Sequence, residues 1–106
     1  MMLYVFIHGL TGRIFKALPL REAYESGEDV GWKEYFHSLT IDATGALSTF
    51  PELQQMQSYL TIVNTLQYMD TESFKLAEFR REIFSMLRAL NNIEARFSGK
   101  GGEADV

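Results

Sequence analysis

From Thr71 to Phe97 the chain carries one uninterrupted helical pattern, and no other stretch limits its fold as strongly. Leu76, Phe79, Ile83, Met86, Leu87, Leu90, Ile93 and Phe97 recur at steps of three and four, which places them on one stripe of a 3.6-residue helix. Glu78, Arg81, Glu82, Arg88 and Arg96 fill the other positions and belong in water. A helix with one oily stripe is stable only against other elements that cover it. The rest of the sequence is therefore read for what covers it.

The amino end, Met2 to Leu18, opens with a run of β-formers, yet strict alternation fails after Phe6. Leu3, Phe6, Ile7, Leu10, Ile14, Ala17 and Leu18 hold a helical stripe throughout, so the segment is read as a helix over 2–18. Gly9 and Gly12 lie on its far side with Val5 and Lys16; each glycine costs about 1 kcal/mol relative to alanine, which implies close packing against them. Pro19 is expected to end or kink this helix.

A second helix is expected over 29–49. Ser26 and Asp29 stand at capping-box spacing before a stripe of Trp32, Tyr35, Phe36, Leu39, Ala43, Ala46, Leu47 and Phe50. A third is expected over 51–69, announced by Thr49 and Glu52 with Pro51 in the first turn. Its apolar residues, Leu53 to Met69, spread over roughly 200° of the wheel, wider than the stripe of about 100° that one core requires, which implies contact on two sides. Asp70 or Thr71 caps the fourth helix, over 71–97. The glycine-rich end, 98–106, has no apolar period and reads as a flexible tail. Short connections make successive helices antiparallel. The fold class is all-α: a bundle of about four helices in a single domain, 1–97.

Charge and composition narrow the function. With 10 basic against 14 acidic residues the net charge is −4, which repels phosphate backbones and anionic membranes. No nucleic-acid partner is expected. The absence of cysteine removes disulfides, thiolate nucleophiles and cysteine zinc sites. The apolar run at residues 2–7 is far shorter than the roughly 20 residues a membrane span needs, and no basic leader precedes it, so a cytoplasmic protein without a membrane role is expected.

Four stretches invite a chemical reading. Val5-Phe6-Ile7-His8-Gly9-Leu10-Thr11-Gly12 resembles the His-Gly oxyanion segment of α/β-hydrolases, a family that also needs a Gly-x-Ser-x-Gly elbow and a long parallel sheet. The chain has neither. Glu34 and His37 have the Glu-x-x-His spacing of di-iron carboxylate bundles. With one copy per chain, a dimer would have to complete that site, and both residues fall away from Trp32, Phe36 and Leu39. A solvated pair within the helix is the plainer reading. Gly99-Lys100-Gly101-Gly102 has no strand before it and no helix after it, so it is no phosphate loop. Arg80, Arg81, Lys75 and Arg88 interleave with Glu78 and Glu82, the pattern of ion pairs within a helix.

No nucleophile–base pair is discernible, and no enzyme, cofactor or metal is expected. The remaining signal is surplus apolar surface, which marks an interaction site. Its candidate residues are Tyr4, Val5, Gly9, Gly12, Phe15, Ile62, Met69, Phe74 and Phe84. The expectation is a non-catalytic adaptor, assembly factor or inhibitor that forms a homodimer. Bacteriocin immunity proteins, similar in size and helical build, supply an alternative by architecture alone. The dimer-completed metal site is a further one.

Overall fold

The computed structural model describes residues 2–71 and 74–96. Four α-helices follow one another: α1 (Met2–Glu25), α2 (Trp32–Thr49), α3 (Gln57–Thr71) and α4 (Leu76–Glu94), with a short 3-10 helix (Pro51–Gln55) before α3. No strand occurs among the described residues. Cross-helix bonds set the directions. Glu94, at the end of α4, meets His8 near the start of α1, whereas Arg80 meets Glu22. Arg13 of α1 meets Asp42 of α2, and Gln67 of α3 meets Thr44 of α2. With Phe6 against Phe50 and His37 against Asp70 as second points of contact, α2 runs antiparallel to both α1 and α3, as α4 does to α1, along which it packs most closely to close the ring. No helix among the described residues is long and apolar enough to cross a membrane.

The stripes read from sequence are the faces that turn inward. Ile7, Leu10, Ile14 and Ala17 of α1 are buried, as are Trp32, Phe36, Leu39, Ala43 and Ala46 of α2, and Phe79, Ile83, Met86, Leu90 and Ile93 of α4. The wide apolar arc of α3 is also accounted for. Tyr59, Ile62, Val63, Leu66 and Met69 are buried because α3 is flanked within the chain by α2 on one side and α4 on the other.

The helix ends depart from expectation in four places. Helix α1 does not stop at Pro19 but runs to Glu25. Pro19 is on the exposed face, so the Phe15 carbonyl that loses its helical partner lies toward solvent, where water replaces it. The true stop is Gly27: at φ 92° it lets its own amide donate to Tyr24 and the Glu28 amide donate back to Ala23, both at 3.0 Å, a Schellman turn. Helix α2 begins at Trp32 rather than 29, because Gly31 precedes it at φ 66°, a left-handed conformation that side-chain-bearing residues resist. The Ser26–Asp29 capping box is not what starts it.

The third expected helix is split. Pro51 does occupy a first turn, but of the 3-10 helix, and Met56 is extended at φ −102° and ψ 103° before α3 begins. In an unbroken α-helix Leu53 and Tyr59 would point about 120° apart. The break resets the phase so that both are fully buried. Helix α4 starts at Leu76 rather than 71, since α3 continues through Thr71. Its cap is Lys75, not Asp70 or Thr71, which belong to α3; the amide of Lys75 donates to Glu78 Oε1 at 3.3 Å, the acidic half of a capping box. Phe97 and the expected tail over 98–106 lie outside the described residues.

Candidate functional site

The outward side of α1 carries the exposed part of the predicted surface on that helix. Val5, His8, Gly9, Gly12, Phe15, Lys16 and Pro19 are all exposed there, and their spacing keeps them within roughly a third of the helix circumference. Val5 is 62% and Phe15 58% exposed, so neither is spent on this chain's own core. The strip borders a groove between α1 and α4, about 720 Å³ in volume, with Gly12 and Phe15 on one wall and Phe84, Leu87 and Arg88 on the other. Phe84 is 48% exposed. Phe15 and Phe84 thus face one opening from two different helices.

Nothing among the described residues explains the two glycines. A Cβ added at Gly9 or Gly12 would meet no described atom within 4 Å, so the close packing expected against them does not come from the described helices. Helix-favouring residues would fit both positions. Of the other predicted surface residues, Tyr4 is half-buried and stacks on His8, ring centres 6.0 Å apart. Ile62 and Met69 are core residues and are not available as surface. Phe74 leans on the core and sets its edge against Tyr68, which puts it on the opposite side of α4 from Phe84. The structure therefore gathers Val5, Gly9, Gly12, Phe15 and Phe84, and separates them from Ile62, Met69 and Phe74.

The seam beneath this strip is polar and closed. His8 Nδ1 lies 3.3 Å from Glu94 Oε1, and the Thr11 hydroxyl lies 2.9 Å from both Glu94 Oε2 and the Ile7 carbonyl. These bonds fix the amino end of α1 against the last turn of α4, so the strip is presented by a supported helix.

The remaining chemical candidates take different partners from those the spacing implied. His37 points not at Glu34 but across to α3, with Nδ1 2.8 Å from Asp70 Oδ2. No group of three or more His, Asp or Glu side chains among the described residues is placed to hold a metal ion. Arg80 pairs with Glu22 of α1 at 2.7 Å rather than with the acids of its own helix. Among the described residues no ion pair lies within α4.

One residue escaped the sequence reading altogether. Arg21 is 8% exposed and its guanidinium lies 5.2 Å from the Phe79 ring centre and 5.7 Å from that of Trp32. Its Nε donates to Glu25 Oε2 at 2.7 Å, and Nη2 donates to the Phe74 carbonyl. The signal was present: positions 7, 10, 14, 17 and 21 continue one stripe, hidden only by ending the helix at Pro19.

No family model, curated protein or solved structure matches this chain.

Proposed function

We propose that this is a non-catalytic interaction protein that pairs with a second copy of itself through the outer strip of α1 and the adjoining α1–α4 groove. One observation carries the reading: two helix-weakening glycines sit clear of every described residue, between exposed Val5 and Phe15 and beside exposed Phe84. Glycine in a helix allows another backbone to approach closely, and that use offsets its cost only when such a backbone arrives. A two-fold pairing of α1 against α1 places Gly9 and Gly12 at the crossing and offers each Phe15 an apolar wall. The assembled pair would then serve as an adaptor, assembly factor or inhibitor, presenting helical surface to another macromolecule.

Cysteine cross-linking tests the geometry cleanly because the natural chain has no cysteine. Gly12→Cys should form a disulfide-linked dimer on mild oxidation, while Ser48→Cys, exposed on α2, should not. Equal cross-linking of both variants, or of neither, contradicts this pairing.

A further inference from the structure

A second concavity, about 370 Å³, lies at the opposite end of the bundle between the last turns of α1, the first turns of α2 and the chain around Phe74. That volume falls at the lower end of the roughly 300–1,000 Å³ typical of small-molecule sites. Its walls include the aromatic rings of Tyr24, Trp32 and Phe74, and its charged members are Arg21, Glu25, Lys33 and Asp70.

The acids and bases there are unevenly committed. Glu25 accepts from Arg21 Nε at 2.7 Å, and Asp70 faces His37 at 2.8 Å. The Lys33 ammonium has no carboxylate within ion-pair distance among the described residues and lies 5.9 Å from the Tyr24 ring centre. Arg21 uses Nε and Nη2, whereas its Nη1 donates to no described residue. Among the described residues no buried side-chain nitrogen or oxygen lacks a partner, so Nη1 reaches open space, and the space Arg21 lines is this pocket. Two cationic groups with donors that no described residue accepts from therefore border a cavity with aromatic walls.

We propose that this pocket binds a small aromatic carboxylate, its ring among Tyr24, Trp32 and Phe74 and its carboxylate between Arg21 Nη1 and Lys33 Nζ. A guanidinium held by two other bonds is already oriented, so it binds an anion with little further ordering. The ligand's ring would cover the exposed Tyr24 and the half-buried Phe74 beside the buried Trp32, and a neutral analogue would leave both cations as they are. This site is independent of the pairing face on α1, and neither reading rests on the other.

Trp32 is the chain's one tryptophan, so its fluorescence reports on the pocket without labelling. Phenylacetate titrated into the full chain should change the emission saturably, with Kd on the order of 0.1–1 mM for a ligand of this size. Phenylacetamide, the same shape without charge, should bind at least about tenfold more weakly. Lys33→Gln should raise the phenylacetate Kd by about tenfold while leaving the unfolding midpoint unchanged, because Lys33 is exposed. The proposal is overturned by an emission that does not respond up to about 10 mM, by equal responses to the acid and the amide, or by a Lys33→Gln variant that binds like the natural chain.

Discussion

The Arg21 side chain on α1 holds the backbone carbonyl of Phe74, fifty-three residues further along, and so ties the connection between α3 and α4 to the first helix. The same guanidinium lies beside the rings of Trp32 and Phe79, so one residue joins three of the four helices. A nearly buried charge is tolerable because Glu25 neutralises it and its apolar stem packs.

Arg21→Ala is expected to destabilise the fold by roughly 2–3 kcal/mol, since it leaves the Phe74 carbonyl without its donor and removes the cation above two rings. Arg21→Met keeps most of the stem and should cost about half as much. Urea unfolding followed by circular dichroism measures both, and an Arg21→Ala chain as stable as the natural one would remove this bond from the account.

Tyr59 predicts how the fold responds to alkali. Its phenol is fully buried and donates to the Ala43 carbonyl at 2.6 Å, and burial pushes its pKa above the ordinary value near 10. Up to about pH 10 folded and unfolded chains both keep this proton, and the contribution is intact. Above that the unfolded chain releases it while the folded chain retains it, so stability falls by up to about 1.4 kcal/mol per pH unit. Burial also raises the phenol of Tyr35, against the opposing pull of Arg13, and adds to the same slope. Tyr59→Phe should cost roughly 1 kcal/mol at neutral pH and flatten the decline above about pH 10. Denaturation midpoints at several alkaline values check the slope.

Pro19 sits within α1 on its exposed side, where alanine would restore the missing hydrogen bond without meeting the core. Pro19→Ala should raise stability by about 1–3 kcal/mol, visible as a higher midpoint in urea. A lower midpoint would contradict this reading of Pro19.

The two glycines of α1 separate the subunit's stability from its assembly. With no described atom within 4 Å of an added Cβ, Gly9→Ala and Gly12→Ala should each stabilise the isolated subunit by up to about 1 kcal/mol. If a second α1 crosses at these positions, the same substitutions should weaken pairing. Thermal unfolding at low protein concentration reads the first effect, and the dissociation constant reads the second.

How much of this the sequence disclosed follows from which interactions are periodic. The inward faces of α1, α2 and α4 were legible because hydrophobic spacing records them directly, down to Phe79, Ile83, Met86, Leu90 and Ile93. Helix ends were less so. Gly27 and Gly31 act through backbone dihedrals, and Lys75 caps α4 by its amide rather than by its side chain. Pro19 was read as a stop because proline removes a bond, yet water can replace that bond on an exposed face. The exposed strip of Val5, Gly9, Gly12 and Phe15 was visible as residues off the stripe. The wide arc of α3 pointed to contact on two sides, but not to α2 and α4 of the same chain as the elements that cover Ile62 and Met69. The His37–Asp70 and Arg80–Glu22 pairs depend on how helices are set beside each other, which spacing within a helix does not encode.

Sedimentation equilibrium across a range of concentrations, comparing the natural chain with a Gly12→Glu variant, tests the proposed self-association most directly. The account predicts a species of twice 12.2 kDa for the natural chain and of 12.2 kDa for the variant, with unchanged helical content in both. A natural chain that stays at 12.2 kDa into the high micromolar range, or a Gly12→Glu variant that dimerises equally well, would contradict it.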